Sequence, residues 1–70
     1  MQFAVVFEKG PENWSAYVPD LPGCVAAAET REGIELLIRE AIEFHIEGLK
    51  SHGDPVPDPI SEAANIRISA

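Results

Sequence analysis

The hexapeptide Pro19-Asp20-Leu21-Pro22-Gly23-Cys24 forces the chain to reverse direction within a few residues. Pro22 locks φ at about −65°, the value that position i+1 of a tight turn needs. Gly23 then supplies the positive φ that a type II turn demands at i+2. Pro19 drives Val18 into extended geometry, which suits the last residue of a strand. Asp20 is suited to accept hydrogen bonds from backbone N–H groups two residues on. A turn of this kind joins extended segments, so the flanking sequence is read for alternation.

Gln2 to Glu8 is rich in β-branched and aromatic residues, with Phe3, Val5 and Phe7 on one face at period two. Lys9-Gly10-Pro11-Glu12-Asn13 is turn chemistry and predicts a hairpin to Trp14–Val18. There Trp14, Ala16 and Val18 share one face, while Ser15 and Tyr17 share the other. Cys24 to Ala28 is the third strand expected. Its alanines are weak strand formers, but their small side chains suit a surface on which a helix rests.

Thr30 is a good N-cap, and Glu32 in the first turn suits the helix dipole. Gly33 takes the N3 place where a capping box has Glu or Gln. The helix is predicted to run to about His52, closed by Gly53 in the left-handed conformation, with Lys50 and His52 favourable in the last turn. Projected at roughly 100° per residue, Phe44, Leu37, Gly48, Ala41, Ile34, His45, Ile38, Leu49 and Ile42 form a broad apolar arc expected to lie on the sheet. Gly48 and Ala41 are expected to permit close approach. Arg39, Glu40, Glu43, Glu47 and Lys50 lie opposite. Leu36 falls among these charges, either as an ordinary exposed apolar residue or as the mark of a subunit or partner contact, and Ile46 lies at the margin. Asp54 to Pro59 carries proline at every second position and must be extended and stiff. Asn65 to Ser69, with Ile66 and Ile68 on one face and Arg67 on the other, is predicted as a final short strand. The expected fold is α+β: a two-layer β-β-β-α-β domain, its antiparallel sheet covered on one face by one long helix.

Seventy residues allow one small domain, 1–70, whose limited buried surface makes self-association as a dimer or tetramer an expectation. Twelve acidic and five basic residues give a net charge of −7, which disfavours phosphate contacts and favours a basic protein partner. Cys24 is the only cysteine, so no intramolecular disulfide forms and a reducing cytoplasm is the compartment expected. It is either a small packing residue or a reactive thiol. The longest apolar runs, Phe3 to Phe7 and Cys24 to Ala28, are far too short to span a bilayer, and the N-terminus lacks a leader pattern.

The order of these pieces resembles the HicB-like antitoxin family. The resemblance rests on the aromatic strand Trp14–Val18, the PDLPGC turn, the small-residue strand, the helix start at Glu29-Thr30, His45-Ile46-Glu47-Gly48-Leu49 late in the helix, and the Gly53–Pro59 exit. It covers nearly the whole chain and implies a partial ribonuclease H-like fold. It also implies binding to a small basic mRNA-cleaving toxin of the HicA type, neutralised by occlusion. Many relatives carry a C-terminal DNA-binding module. The chain ends at Ala70, about where that module would begin, so no direct nucleic-acid binding is expected.

Catalysis finds little support in the residues. Ribonuclease H chemistry needs several carboxylates around metal ions, yet the strands carry almost none beyond Glu8, with Asp20 in a turn. His45 lies within the apolar arc, as a core histidine or a buried switch, and His52 is two helical turns away, too far for easy chelation. No enzyme activity, cofactor or metal is expected. The partner-binding surface expected from the sequence comprises Trp14, Tyr17, Asp20, Leu21 and Pro22 with the helix residues Leu36, Glu40, Glu43 and Glu47. Aromatic side chains and a preformed turn give contact area at low entropic cost. The rival reading is an orphan homo-oligomeric scaffold or small-ligand binder with no toxin.

Overall fold

Three short strands pair in chain order and one long helix follows them. The computed structural model describes residues 1–69. Strands β1 (Val6–Lys9), β2 (Trp14–Tyr17) and β3 (Val25–Ala28) form an antiparallel sheet in the order β1-β2-β3, and α1 (Arg31–Ser51) packs across it. The register sets Phe7 opposite Ala16 and Ala16 opposite Ala26, with Trp14 opposite Ala28. These residues line the face under the helix. Val6, Tyr17 and Val25 form a row across the other face, where no element covers them.

The strands are shorter than the alternation predicts, for a physical reason. Continuing the β1–β2 register would set Ala4 opposite Pro19, which has no N–H to donate. Val18, opposite Val5, faces β3 by the ordinary alternation, its N–H bonding Cys24 O at 3.2 Å, so Pro19 is where the next β1–β2 bond would fall. The β1–β2 ladder therefore ends at Val6.

The helix caps follow the local chemistry. Thr30 is extended (φ −123°, ψ 159°) and its hydroxyl accepts from the Gly33 N–H at 3.0 Å. A Cβ on Gly33 would stand 2.9 Å from that same oxygen, so the glycine that breaks the capping box makes room for the cap. At the other end Gly53 has φ +74°, the Asp54 N–H bonds Leu49 O at 2.9 Å, and the Gly53 N–H bonds Lys50 O at 3.1 Å. This is a Schellman closure, which satisfies carbonyls the helix itself cannot.

The core consists of Ala16, Val18, Leu21, Cys24, Ile34 and Ile38. Ile34 and Ile38, one turn apart, are the helix residues buried in it, and each contributes about 1.5–3 kcal/mol by leaving water. The sheet-facing stripe is narrower than the arc predicted. Phe44 is 78% exposed and Leu37 is 41% exposed. A helix of 21 residues is about 31 Å long, whereas four-residue strands span about 13 Å. Its far half therefore overhangs the sheet. Gly48 has nothing within 4 Å of a notional Cβ, so it serves no close approach.

The final strand predicted over Asn65–Ser69 is not formed. These residues carry no ladder, and Ile66 and Ile68 are about three-quarters exposed (76% and 74%). The reason lies upstream: the tail is fastened at Ile60 and Ser61 and passes β1 across a groove instead of joining its edge.

Candidate functional site

Residues 18–24 fold as two consecutive tight turns. The Leu21 N–H bonds Val18 O at 3.1 Å, the Cys24 N–H bonds Leu21 O at 3.0 Å, and the Val18 N–H bonds Cys24 O at 3.2 Å. Gly23 has φ +86°, the conformation of position i+2 of a type II turn. A reversal every three residues turns Val18, Leu21 and Cys24 inward, all nearly or fully buried, and leaves Pro19, Pro22 and Gly23 outside. Leu21 has no exposed surface, so it anchors the turn in the core and does not form its tip. Pro22 is the exposed point.

Asp20 has a partner that its local sequence does not reveal. Its Oδ2 accepts from the Ile60 N–H at 3.0 Å and the Ser61 N–H at 2.8 Å, and its Oδ1 accepts from the Ser61 hydroxyl at 2.8 Å. The carboxylate thus clasps a segment 41 residues later in the chain. The Ser61 N–H and then the Ser61 hydroxyl hold its pKa below the ordinary 3.8; partial desolvation opposes them, and the Ile60 N–H adds to the lowering.

Arg31 completes a second long-range arrangement. Its guanidinium lies 3.7 Å from the centroid of the Phe7 ring and 5.8 Å from that of Trp14. These cation–π contacts fasten the helix start to β1 and β2. A cation in the first helical turn opposes the helix dipole, and that misfit was the sequence signal for a tertiary partner. Trp14 is consequently half-buried beneath the helix start.

The expected partner-binding residues fall in separate places. Tyr17, 40% exposed, lies on the open sheet face beside Val6 and Val25. Leu36, Glu40, Glu43 and Glu47 follow one exposed stripe of α1, on the opposite side of the two-layer fold, and Leu36 is 61% exposed among the carboxylates. A groove of about 450 Å³ runs between the start of the chain and α1, with Phe3, Val5, Ile38 and Ile42 as its apolar lining and Glu35, Arg39 and Glu43 at its rim. Trp14 under Arg31, Asp20 in its clasp and Leu21 in the core are engaged within the protein itself.

The remaining chemical groups have structural surroundings. Cys24 is buried, and desolvation pushes its thiol pKa up, away from the reactive thiolate. The His52 Nδ1–H donates to Gly48 O at 2.8 Å and helps close the helix. His45 is half-buried beside Phe44, Leu49 and His52 near the overhanging helix end. Among the described residues no three His, Cys, Asp or Glu side chains come together to hold a metal ion. No described helix is long and apolar enough to cross a membrane.

Comparison with known proteins gives this arrangement a context. Residues 3–68 match the family model described as HicB-like antitoxin of bacterial toxin–antitoxin system. An uncharacterized 14.9 kDa protein from the rep-hol intergenic region of Haemophilus phage HP1 is 36% identical over 67 residues, covering 93% of this chain and 50% of that protein. The chain therefore spans half the length of this relative. A UPF0150 protein of Thermoplasma acidophilum is 31% identical over 67 residues, covering 94% of this chain and 97% of its own length. Another UPF0150 protein, from Archaeoglobus fulgidus, is 36% identical over 55 residues, covering 77% of this chain and 80% of its own. No solved structure matches significantly.

Proposed function

Because the chain belongs to the HicB-like antitoxin family of bacterial toxin–antitoxin systems, we propose that it binds a small basic mRNA-cleaving toxin of the HicA type and neutralises it by covering the toxin's RNA-binding surface. The observation that carries this reading is the exposed stripe Leu36, Glu40, Glu43 and Glu47 on α1, one apolar side chain among carboxylates, on a chain of net charge −7. A protein that grips RNA phosphates presents a basic surface, and an acidic stripe competes for it. The charges steer encounter and set orientation. Leu36 supplies desolvated contact area, while Tyr17, on the opposite and open sheet face, lies outside this contact. The inhibitor acts by occlusion and performs no chemistry of its own. Action against an mRNA-cleaving partner places the pair in the cytoplasm.

Adding the chain to a HicA-type toxin from the same genome is expected to suppress RNA cleavage at near-equal stoichiometry. Reversal of Glu40, Glu43 and Glu47 to Lys is expected to restore cleavage while leaving the fold intact. Undiminished cleavage with the unaltered chain would rule the reading out. A second reading, the orphan homo-oligomeric scaffold, draws on the exposed Phe44 and Leu37, apolar residues that a second copy could cover. Retrieval of a small basic protein in stoichiometric complex decides for the antitoxin; a chain recovered only with itself decides for the scaffold.

A further inference from the structure

Two unmatched parts of the molecule fit each other in chemistry and pattern. The first is the free edge of β1. The Val18 N–H bonds across to Cys24 O, so alternation turns the even-numbered residues of β2 toward β3 and the odd-numbered ones toward β1. Through the pairing of Val6 with Tyr17, Val6 and Glu8 face β2, while Val5 and Phe7 hold their N–H and C=O groups out at the edge. Such an edge is a template for another strand. The second part is the tail. Asn65–Ser69 forms neither helix nor ladder, alternates Ile66-Arg67-Ile68, and leaves both isoleucines about three-quarters exposed.

Within one protomer the two parts do not join. Asp20 fixes the tail at Ile60 and Ser61. From there Ala63–Asn65 pass beside β1 across a groove of about 570 Å³, walled by Val5, Phe7, Trp14 and Arg31. The radius of gyration is 13.6 Å and the longest extent 48 Å, where a compact chain of this length has a radius of about 11 Å. Apolar surface is carried outward instead of being folded back.

We infer that two copies of this chain exchange their tails, with Asn65–Ser69 of each adding as a fourth strand to the free β1 edge of the other. On that edge Ile66 and Ile68 cover the apolar groove of Phe3, Val5, Ile38 and Ile42, and Arg67 turns to the open face, where Glu8 lies. Charge favours this contact. Two protomers of net charge −7 repel each other, but the exchanged segment carries Arg67 and no acidic residue. Exchange also supplies the final strand that the alternation of Ile66 and Ile68 predicts, on another molecule's sheet. The inference concerns the chain alone and stands whether or not the partner is a toxin.

The test is sedimentation equilibrium of the full chain, with an Ile66→Asp/Ile68→Asp variant alongside. The chain is expected at twice its 7.6 kDa protomer mass, and the variant is expected to associate at least about tenfold more weakly. Its helical far-ultraviolet circular dichroism should be retained, with at most the small loss of the added strand, because both side chains are exposed in the protomer. Isotope-filtered NOEs in a mixture of labelled and unlabelled chains should connect the Ile66 and Ile68 methyl groups to Phe3 and Val5 of the other copy. A monomeric chain, a dimer indifferent to the two aspartates, or NOEs confined within one copy would each overturn the inference.

Discussion

Replacing Leu21 by alanine tests whether the turn is a core element or a displayed loop. Leu21 has no exposed surface and sits between Val18 and Cys24, which are 2% and 3% exposed. Truncating a buried leucine costs about 2–5 kcal/mol, the spread reflecting how far the surroundings collapse into the void. Here collapse is restrained, because the backbone bonds of the two turns hold both neighbours in place. A cost of about 3 kcal/mol follows. For 70 residues the whole folding free energy is about 3.5–10 kcal/mol, so one side chain carries a large share of it. At about 4–8 °C per kcal/mol for a domain of this size, the melting temperature should fall by about 12–24 °C. The control is Leu36→Ala: a leucine 61% exposed on α1 should cost no more than about 0.5 kcal/mol. Urea unfolding followed by circular dichroism measures both variants, and an unchanged m-value would show that the denatured state is unaffected. A Leu21→Ala protein melting within about 2 °C of the parent would refute the core assignment and return Leu21 to the surface as a contact residue.

Two further outcomes follow from the same geometry. The folded-state pKa of Asp20 is depressed, so the stability its clasp contributes is present above the ordinary 3.8 and is lost as pH falls through the lower folded-state value; the Ser61 amide resonance should titrate with that lowered midpoint, and Asp20→Asn should abolish the titration, whereas a midpoint at the ordinary value would count against the clasp. Gly23→Ala should cost about 1 kcal/mol through backbone strain alone, since φ is +86° and nothing lies within 4 Å of the added Cβ; D-alanine at that position, introduced by chemical synthesis, should be tolerated, and equal melting temperatures for the two stereoisomers would disprove the left-handed requirement.

The features readable in the sequence are those whose physics spans a few neighbouring residues. Pro22-Gly23 specifies a type II turn because one ring fixes φ and one missing Cβ permits its sign to change. Thr30 and Gly53 mark the helix ends because unsatisfied backbone groups lie within a turn of each. The α+β class follows from alternation before the turn and helical periodicity after it. The family's ordered motifs were legible as well, since they consist of these same local devices in sequence order.

Tertiary structure decided what depends on distant segments meeting. The carboxylate of Asp20 is chemically able to cap its own turn, but Ser61 offers it an N–H and a hydroxyl together. The misfit of Arg31 with the helix dipole signals a tertiary partner, but only the fold decides that Phe7 and Trp14 take its guanidinium. The apolar arc of α1 contains more residues than a short sheet can cover, so the placement of the helix, not its periodicity, chose Ile34 and Ile38 over Phe44. Asn65–Ser69 has the alternation of a strand, but a strand exists only where an edge receives its hydrogen bonds. Local chemistry determined the turns, caps and element types of this protein, and packing alone decided which apolar residues are core, which polar groups are clasps and which surface remains open to a partner.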